Sequence, residues 1–112
     1  MPNDPIIQQL FLNEKGRSIM TVSDIRIRKT FSEGSLKAIV SATIDNCLAI
    51  HEFKIIQGSE RLFVAMPSRK DENGIFRDII HPINAESRNE LERVIIDEYE
   101  RYILVERIMN AE

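Results

Sequence analysis

The sequence predicts a small α+β domain in which five antiparallel strands, in meander order, are followed by one C-terminal helix that packs against the sheet. Two observations lead to this prediction. Apolar and polar residues alternate over much of residues 21–83, which is typical of strands with one buried face. Helical spacing of apolar residues begins only after His81–Pro82. With 112 residues, the chain has the length of one domain with a single core.

Residues 1–19 are predicted to be an extension outside the domain, which is expected to span residues 20–108 and to end in a short tail at 109–112. Asp4 can cap a short helix that has Pro5 at its first position. The apolar stripe of this helix would consist of Ile6, Ile7, Leu10 and Phe11. A helix of about two turns is unstable in water unless it docks on something. We therefore expect this segment to be either a docked helix or a disordered extension.

The first two strands are predicted from alternation of apolar and polar side chains. In "SDIRIRKT" (23–30), Ile25 and Ile27 face one way, and the polar residues between them face the other. A turn at Gly34 leads into "LKAIVSATID" (36–45), which has the clearest alternation in the chain. Its expected core face consists of Leu36, Ala38, Val40, Ala42 and Ile44.

Three more strands are predicted after a tight connection at Asn46–Cys47. In "LAIHEFKII" (48–56), the alternation slips near His51, which predicts a β-bulge. "RLFVAM" (61–66) ends at Pro67, and "IFRDII" (75–80) follows the Asn73–Gly74 pair. Such a pair readily supplies the positive φ angles of a tight turn. We therefore expect the last two strands to form a hairpin, with the residues between them as its loop.

One long helix is predicted after His81–Pro82. The sequence "SRNE" (87–90) is a capping box, in which the Ser87 hydroxyl accepts from the Glu90 amide and the Glu90 carboxylate accepts from the Ser87 amide. Apolar residues then recur at helical spacing as far as about Ile108. The acids and arginines between them would form the solvated face of the helix.

The composition indicates a globular protein in a reducing compartment. Apolar residues make up 43% of the chain and charged residues 29%, as is usual for folded domains. The single cysteine, Cys47, excludes an internal disulfide and a cysteine-based zinc site. No signal peptide or transmembrane segment is recognisable in the sequence. We therefore predict a cytoplasmic protein without a membrane partner.

Charge is distributed unevenly along the chain. The formal net charge is −3, which argues against a protein that coats nucleic acid indiscriminately. Residues 20–81 contain nine Lys or Arg and eight Asp or Glu, a balance of +1, whereas residues 82–112 contain four and eight, a balance of −4. The acidic charge is therefore concentrated in the C-terminal part.

A group of cations in the predicted sheet forms the candidate binding site. Arg26 and Arg28 lie two residues apart on one strand, so their side chains should leave the same face about 7 Å apart, close to the spacing of successive phosphates. Arg69 and Lys70 lie in the predicted hairpin loop, where long side chains can reach a partner. The whole group consists of Arg26, Arg28, Lys29, Arg69, Lys70 and Arg77. If these side chains converge, they form a surface for polyanions.

Two other interpretations stay open at this point. Most cations on a sheet face are solvated or paired with neighbouring acids, and the acids close in sequence are Asp24, Asp71, Glu72 and Asp78. Alternatively, the chain is a protein-binding module that uses its acidic helix or an exposed strand edge and has no direct role with nucleic acid. Spacing in the sequence does not decide among the three.

Catalytic and metal-binding residues are not indicated. His51 and His81 lie in separate segments without a third ligand at a metal-site spacing. We expect His81, which precedes a proline, to bond the backbone where the sheet meets the helix. Asp45, Cys47 and His51 could be imagined as a nucleophile group, but an ordinary turn explains them. We therefore predict no enzyme activity, cofactor, metal or small-molecule substrate.

Five of these segments together resemble one known family. They are "SDIRIRK", "LKAIVSATIDN", "LFVAMPSRK", "NGIFRDIIHPIN" and "SRNELERVIIDEYE", and they cover about residues 20–100 in this order. The family that they resemble is the stage V sporulation protein G family, SpoVG. The resemblance implies a SpoVG-like α+β domain that dimerises in the bacterial cytoplasm.

The resemblance also implies a function. Members of this family are described as site-specific DNA-binding regulators that also bind RNA and act in sporulation, septation control, capsule formation and virulence. Their nucleic-acid contacts are placed on the basic pair after "MPS", which here is Arg69 and Lys70. Charge and predicted geometry, not the resemblance, extend this site to Arg77, Arg26, Arg28 and Lys29. We therefore expect a homodimeric regulator that binds DNA and also RNA.

Two features depart from the family pattern. Family members commonly carry Lys-Arg followed by Thr-Pro-Asp-Gly, whereas here Arg69–Lys70 is followed by "DENG" (71–74). The two acids can neutralise the basic pair locally, at about 0.2–1 kcal/mol for each exposed ion pair. Family chains also usually begin where Met20 stands. Residues 1–19 are therefore expected to be either a genuine helix or the product of an upstream start codon that is not the one used.

Overall fold

The computed structural model describes residues 20–110, and these form six strands and one helix. In chain order the elements are β1 (Val22–Thr30), β2 (Leu36–Ile44), β3 (Leu48–Gln57), β4 (Leu62–Ala65), β5 (Ser68–Lys70), β6 (Phe76–Asp78) and α1 (Ala85–Met109). The predicted α+β class is therefore confirmed. The short helix predicted after Asp4 lies outside the described residues. Within residues 20–110, no helix is both long and apolar enough to span a membrane.

The sheet is an antiparallel meander of four strands, not five. Its order is β1-β2-β3-β4, while β5 and β6 form a separate two-stranded sheet. The predicted pairing of the segment 75–80 with β4 is therefore wrong. Pro67 follows β4 almost directly, and a proline cannot donate to a ladder because it has no backbone N–H. The chain leaves the sheet at this point, and β4 stays at its edge.

The second sheet forms within the segment that was expected to be a loop. β5 pairs with β6, and Arg69 lies directly opposite Arg77. The prediction that Arg69 and Lys70 lie on a loop is therefore wrong, because both belong to β5. The turn begins later, at Asp71, whose carboxylate accepts from amides of the turn. Gly74 has a φ of 79°, which supplies the positive φ expected in this turn.

Register shifts interrupt β1, β2 and β3 of the larger sheet. The register of β2 with β3 shifts between Val40 and Ala42, so that β3 holds one extra residue there. This residue lies at His51–Glu52, and Glu52 has a φ of 69°. The bulge predicted near His51 is therefore confirmed. β1 contains a comparable irregularity at Asp24, which has a φ of 47° and which the alternation did not predict.

The connection from β2 to β3 is a tight turn. Asp45 and Asn46 have φ angles of 52° and 57°, and the Cys47 amide donates to the Ile44 carbonyl at 3.1 Å. Positive φ at both central residues matches the twist of the flanking strands. The Asp45 carboxylate accepts from the Thr21 amide at 2.8 Å. Asp45 therefore serves the turn, which is the ordinary explanation that the sequence offered for it.

α1 begins earlier than predicted and is capped by a different residue. Asn84 has extended backbone angles, and its side-chain oxygen accepts from the Ser87 amide at 2.8 Å. Asn84 is therefore the N-cap, and the capping box predicted at Ser87 is wrong. Asparagine caps helices as well as serine does, and Asn84 is the first such residue after Pro82. The helix ends at Met109, one residue beyond the predicted end.

The core lies between α1 and one face of the four-stranded sheet. Leu91 and Ile95 are the buried apolar residues that α1 contributes. The core face predicted for β2 is confirmed at Ala38, Val40 and Ala42, which are buried, but not at Leu36, which lies opposite Ile56. The largest fully buried side chains are Phe53, Ile55, Ile95, Val40 and Val64. Burial of each stabilises the fold by about 1.5–3 kcal/mol.

Glu92 of α1 closes part of the outer edge of β4. Glu92 is only 9% exposed. Its carboxylate accepts from the Val64 amide at 3.2 Å and from Arg61 Nη1 at 3.3 Å. A further strand pairing at this edge would need that amide as a donor. The carboxylate therefore protects β4 from edge-to-edge pairing at Val64.

Candidate nucleic-acid interface

The sheet face opposite α1, which we call the open face, carries lysines on both sides of Ile39. Ile39 lies between the fully buried Ala38 and Val40 and therefore points away from the core. Residues directly opposite one another across antiparallel strands project to the same face. Ile39 is paired with Lys29 of β1 and with Lys54 of β3. Both lysines therefore belong to the open face.

Arg26 and Arg28 reach the open face beside Ser41. Arg26 is paired with Ser41 across β1 and β2, and Arg28 Nε donates to Ser41 Oγ at 2.7 Å. Both arginines line one shallow hollow of about 80 Å³, together with His51. Both guanidinium groups therefore reach the same face. Lys29 shares this face with its neighbour Arg28 because the register of β1 with β2 shifts between Ile27 and Lys29.

The open-face cations are largely free of carboxylate partners. Arg26 Nε lies 3.2 Å from Asp24 Oδ1 in an exposed pair. Within residues 20–110, neither Arg28 nor Lys54 has a carboxylate at ion-pair distance. Lys29 Nζ instead lies over an aromatic ring, 5.2 Å from the centroid of Phe31. The open face therefore keeps most of its positive charge.

α1 shows the opposite behaviour on the other side of the sheet. Arg93 contacts Glu90 and Asp97 at 2.7 and 3.5 Å, and Arg101 lies 3.5 Å from Glu98. The hydrogen bond that Arg93 donates to the Glu90 carboxylate is the main cause that raises the pKa of Arg93. The helix thus pairs these arginines with its own acids and retains excess negative charge.

The basic residues of the hairpin are divided between its two faces. Arg69 and Arg77 lie directly opposite each other and share one face. Lys70 is paired with Phe76 and places its Nζ 5.3 Å from the centroid of that ring. Because neighbouring residues of a strand alternate in direction, Arg69 and Lys70 cannot both lie against one flat surface. The structure therefore does not bring all six predicted cations into a single patch.

Asp71 holds the hairpin turn and one of the hairpin cations. Its Oδ1 accepts from the Asn73 amide at 2.9 Å and from the Ile75 amide at 3.0 Å, and its Oδ2 accepts from Arg77 Nε at 2.7 Å. The hydrogen bond from Arg77 is the main cause that lowers the pKa of Asp71 below its ordinary value of 3.8. Asp71 therefore remains ionised at neutral pH and partly neutralises Arg77.

His51 connects the hairpin to the open face. Arg69 lines a hollow together with His51, and His51 also lines the hollow that contains Arg26 and Arg28. A continuous surface therefore runs from the open face, past the bulge of β3, to Arg69. Glu52 also lines the hollow of Arg69 and is the acidic residue of that stretch.

Two residues of this surface are not among the predicted site residues. Lys54 lies between Phe53 and Ile55, which are both fully buried. The alternation in "EFKII" (52–56) therefore could have placed Lys54 on the open face. The position of His51 depends on the bulge geometry, and no signal in the sequence specifies which way its side chain turns.

The second histidine contacts the backbone. His81 Nδ1 lies 3.2 Å from the Pro82 carbonyl oxygen, at the junction before α1, as predicted. In the part of the chain that the structure describes, no cluster of His, Cys, Asp and Glu residues could hold a metal ion.

Comparison with known proteins assigns the chain to a family. Residues 20–101, which contain the open face, the hairpin and most of α1, match the model of the SpoVG family. The chain belongs to the SpoVG family. The SpoVG protein of Caldicellulosiruptor bescii is 54% identical over 84 residues, which cover 75% of this chain and 96% of that protein. The SpoVG protein of Clostridium perfringens is 51% identical over 82 residues, 73% of this chain and 91% of that protein. Both relatives are named for septation, and neither name refers to an enzymatic activity.

Proposed function

We propose that this SpoVG-family chain binds nucleic acid through the open face and the β5–β6 hairpin and acts as a regulator without catalysis. The separation of charge between the two sides of the sheet carries this proposal. Cations on the open face have few acidic neighbours, whereas α1 holds seven Asp or Glu and four Arg on the other side. Phosphates would be attracted to one side of the domain and repelled from the other.

Each cation is proposed to contact a different part of the ligand. Arg26 and Arg28 can each present a planar guanidinium group to a phosphate, while Lys29 contributes a compact point charge. Arg69 and Arg77 extend the cationic surface along one face of the hairpin. Lys70 leaves the other face of the hairpin and would contact a second part of the ligand.

We propose duplex DNA with specific sites as one target of the hairpin and RNA as a second ligand. A two-stranded β-ribbon is narrow enough to enter the major groove. Arg69 is exposed and lies opposite Arg77, which Asp71 holds, so Arg69 is the hairpin arginine that could reach guanine edges. Base contacts of this kind carry sequence information, whereas phosphate contacts only position the protein.

We further propose that the functional unit is a homodimer. One chain offers few phosphate contacts, and two linked copies strengthen binding and steepen its dependence on salt. The end of α1 supports this proposal because it holds four apolar residues that are each more than half exposed. These are Leu104, Val105, Ile108 and Met109, which are 58%, 51%, 64% and 73% exposed.

The names of the relatives guide the choice of process. Proteins about half identical to this chain are named for septation. We therefore propose that the chain acts in the cytoplasm, in septation, sporulation or another form of global gene regulation. Its partners would be nucleic acid and a second copy of itself, with no small-molecule substrate.

A protein-interaction module is the second candidate. The exposed apolar end of α1 favours it as well, since such a helix surface can lie in the groove of a partner. The strand-edge version of this idea has less support at β4, because the Val64 amide already donates to Glu92. Apolar association of this kind would survive moderate salt, whereas phosphate-driven binding would weaken steeply.

The test compares two double variants in a salt titration of a labelled DNA duplex. Arg69→Ala combined with Lys70→Ala should weaken binding. The negative slope of log K against log[salt] should become less steep by up to about two, and the Tm should stay almost unchanged. Arg101→Ala with Arg107→Ala removes two charges from α1 and serves as the control. Unchanged binding by the first variant would refute the hairpin assignment. If the affinity of the wild type does not change with salt concentration, the protein-interaction module is favoured.

A further inference from the structure

The open face also carries an apolar strip. Ile56 follows the fully buried Ile55 along β3 and therefore points to the open face, where it lies directly opposite Phe63 of β4. These two residues, like Ile39, are only half-buried. Because α1 packs on the other side of the sheet, the helix leaves the strip uncovered.

Phe31 adds an aromatic ring to this strip. The Lys29 ammonium lies over the ring of Phe31 at 5.2 Å from its centroid, so this ring lies beside a cation of the open face. The Phe31 residue is half-buried. The ring therefore can offer one side to a flat ligand if the ammonium group moves away.

Cations flank the strip at a regular distance. Lys29 and Lys54 are the two residues paired with Ile39, on the strands to either side. Neighbouring strands lie about 4.8 Å apart, so the Cα atoms of the two lysines are separated by about 10 Å. Apolar and cationic groups thus alternate across the strands over a distance of one to two nucleotides.

This alternation fits an unpaired strand better than a duplex. In a duplex the bases are stacked inside, and a flat protein surface meets chiefly phosphates and sugars. A single strand also exposes the faces of its bases. These stack on aromatic side chains while its phosphates reach cations nearby.

We propose that the open face binds single-stranded nucleic acid, with bases on the apolar strip and phosphates on Lys29, Lys54 and Arg28. This inference rests on the proposed nucleic-acid binding and adds the class of ligand that the sheet accepts. On binding, a base takes the place of the Lys29 ammonium over Phe31, and the ammonium moves to a phosphate. The hairpin remains available for a paired segment of the same ligand.

The proposed contacts do not depend on the sugar. Stacking and phosphate contacts are formed by DNA and RNA alike. DNA and RNA strands of the same sequence should therefore bind with similar affinity.

Three substitutions separate the contributions. Phe31→Leu removes the ring but keeps an apolar side chain, and Ile39→Thr gives a second test in the strip with a residue that also favours strands. Lys54→Gln removes one charge from the open face. Lys37→Gln is the matched control. Lys37 lies at a register shift between β2 and β3 and lines a groove on the α1 side with Tyr99 and Arg107.

Binding is measured on the full chain by fluorescence anisotropy, with labelled DNA and RNA strands of about 16 nucleotides and with a DNA duplex of the same length. Single strands should bind more tightly than the duplex. Phe31→Leu should weaken single-strand binding about fivefold or more and leave duplex binding unchanged. Lys54→Gln should lower the salt slope for single strands by about 0.7, and Lys37→Gln should not. Circular dichroism verifies that each variant is folded.

The contrary outcomes are distinct. If the duplex binds as tightly as the single strands, or if Phe31→Leu and Ile39→Thr weaken both ligands equally, the single-strand assignment is overturned while nucleic-acid binding stands. If no ligand binds with a dependence on salt, the proposed function itself fails. If Phe31→Leu converts a dimer into a monomer in sedimentation and leaves strand binding per dimer unchanged, the strip is an interface with a second copy, and the inference is again overturned.

Discussion

Changing Asp71 to Asn should strengthen nucleic-acid binding, although Asp71 itself contacts no ligand in our proposal. The carboxylate holds Arg77 at 2.7 Å and accepts from two turn amides through its other oxygen. Asparagine retains a side-chain oxygen that can accept from those amides, so the turn should persist. The substitution removes the charge that neutralises Arg77. The guanidinium group, already 68% exposed, would then be free to contact a phosphate.

The magnitude follows from counterion release. Each phosphate neutralised on duplex DNA adds about 0.9 to the slope of log K against log[salt]. A tenfold dilution of salt, from about 1 M to about 0.1 M, therefore strengthens binding by about eightfold for one extra contact. Asp71→Asn should thus bind duplex DNA several-fold more tightly than the wild type at about 0.1 M salt, and its slope should be steeper by about one.

Asp78→Asn supplies the control for this experiment. Asp78 lies on β6 next to Arg77, but within residues 20–110 it forms no ion pair, so its substitution changes the net charge equally without releasing a guanidinium group. Both variants are titrated with one labelled duplex across a range of salt concentrations. An increase in slope shared equally by the two variants, or found in neither, would refute the idea that Asp71 withholds Arg77 from the ligand.

The remaining predictions concern the cap and the hairpin turn. Asn84→Ala should cost about 0.5–2 kcal/mol of stability in urea unfolding because it removes the acceptor for the Ser87 amide. Ser87→Ala should change stability by less than about 0.5 kcal/mol. A larger loss of stability for Ser87→Ala than for Asn84→Ala would mean that Ser87, not Asn84, caps the helix. Because its pKa is lowered, ionised Asp71 should stabilise the hairpin fully above about pH 3.8 and lose this contribution as the pH falls through the lowered value. Hydrogen exchange of the Asn73 and Ile75 amides, which donate to Asp71, should lose protection as the pH falls. Protection that stays constant on acidification would contradict this prediction.

The sequence predicts the faces of strands better than their partners. Alternation around Val40 identifies the core face of β2, and its interruption identifies the bulge at His51. The alternation of apolar and polar residues within "IFRDII" (75–80) does not show which strand this segment pairs with. The pairing depends on Pro67, which ends one ladder, and on Asp71, whose carboxylate moves the turn beyond the basic pair. These contacts lie between residues, so periodicity does not reveal them.

The candidate site was predictable in its members but not in their directions. Charge and spacing identify Arg26 and Arg28. Lys54 was not predicted, although the alternation around it could have placed it on the open face. Lys70 points away from Arg69 because both are strand residues, whereas a loop would allow them to point the same way. The pairing of Arg77 with Asp71 requires the geometry of the turn.

The most direct test of the account is a map of where nucleic acid touches the protein. Backbone amide shifts of isotope-labelled protein are recorded by NMR during titration with an oligonucleotide. Shifts should concentrate at the open face and the hairpin, including Arg28, Lys54 and Arg69, while the amides on the outer side of α1 near Arg93 and Arg101 stay unchanged. Shifts confined to α1, with the open face and the hairpin unaffected, would contradict it.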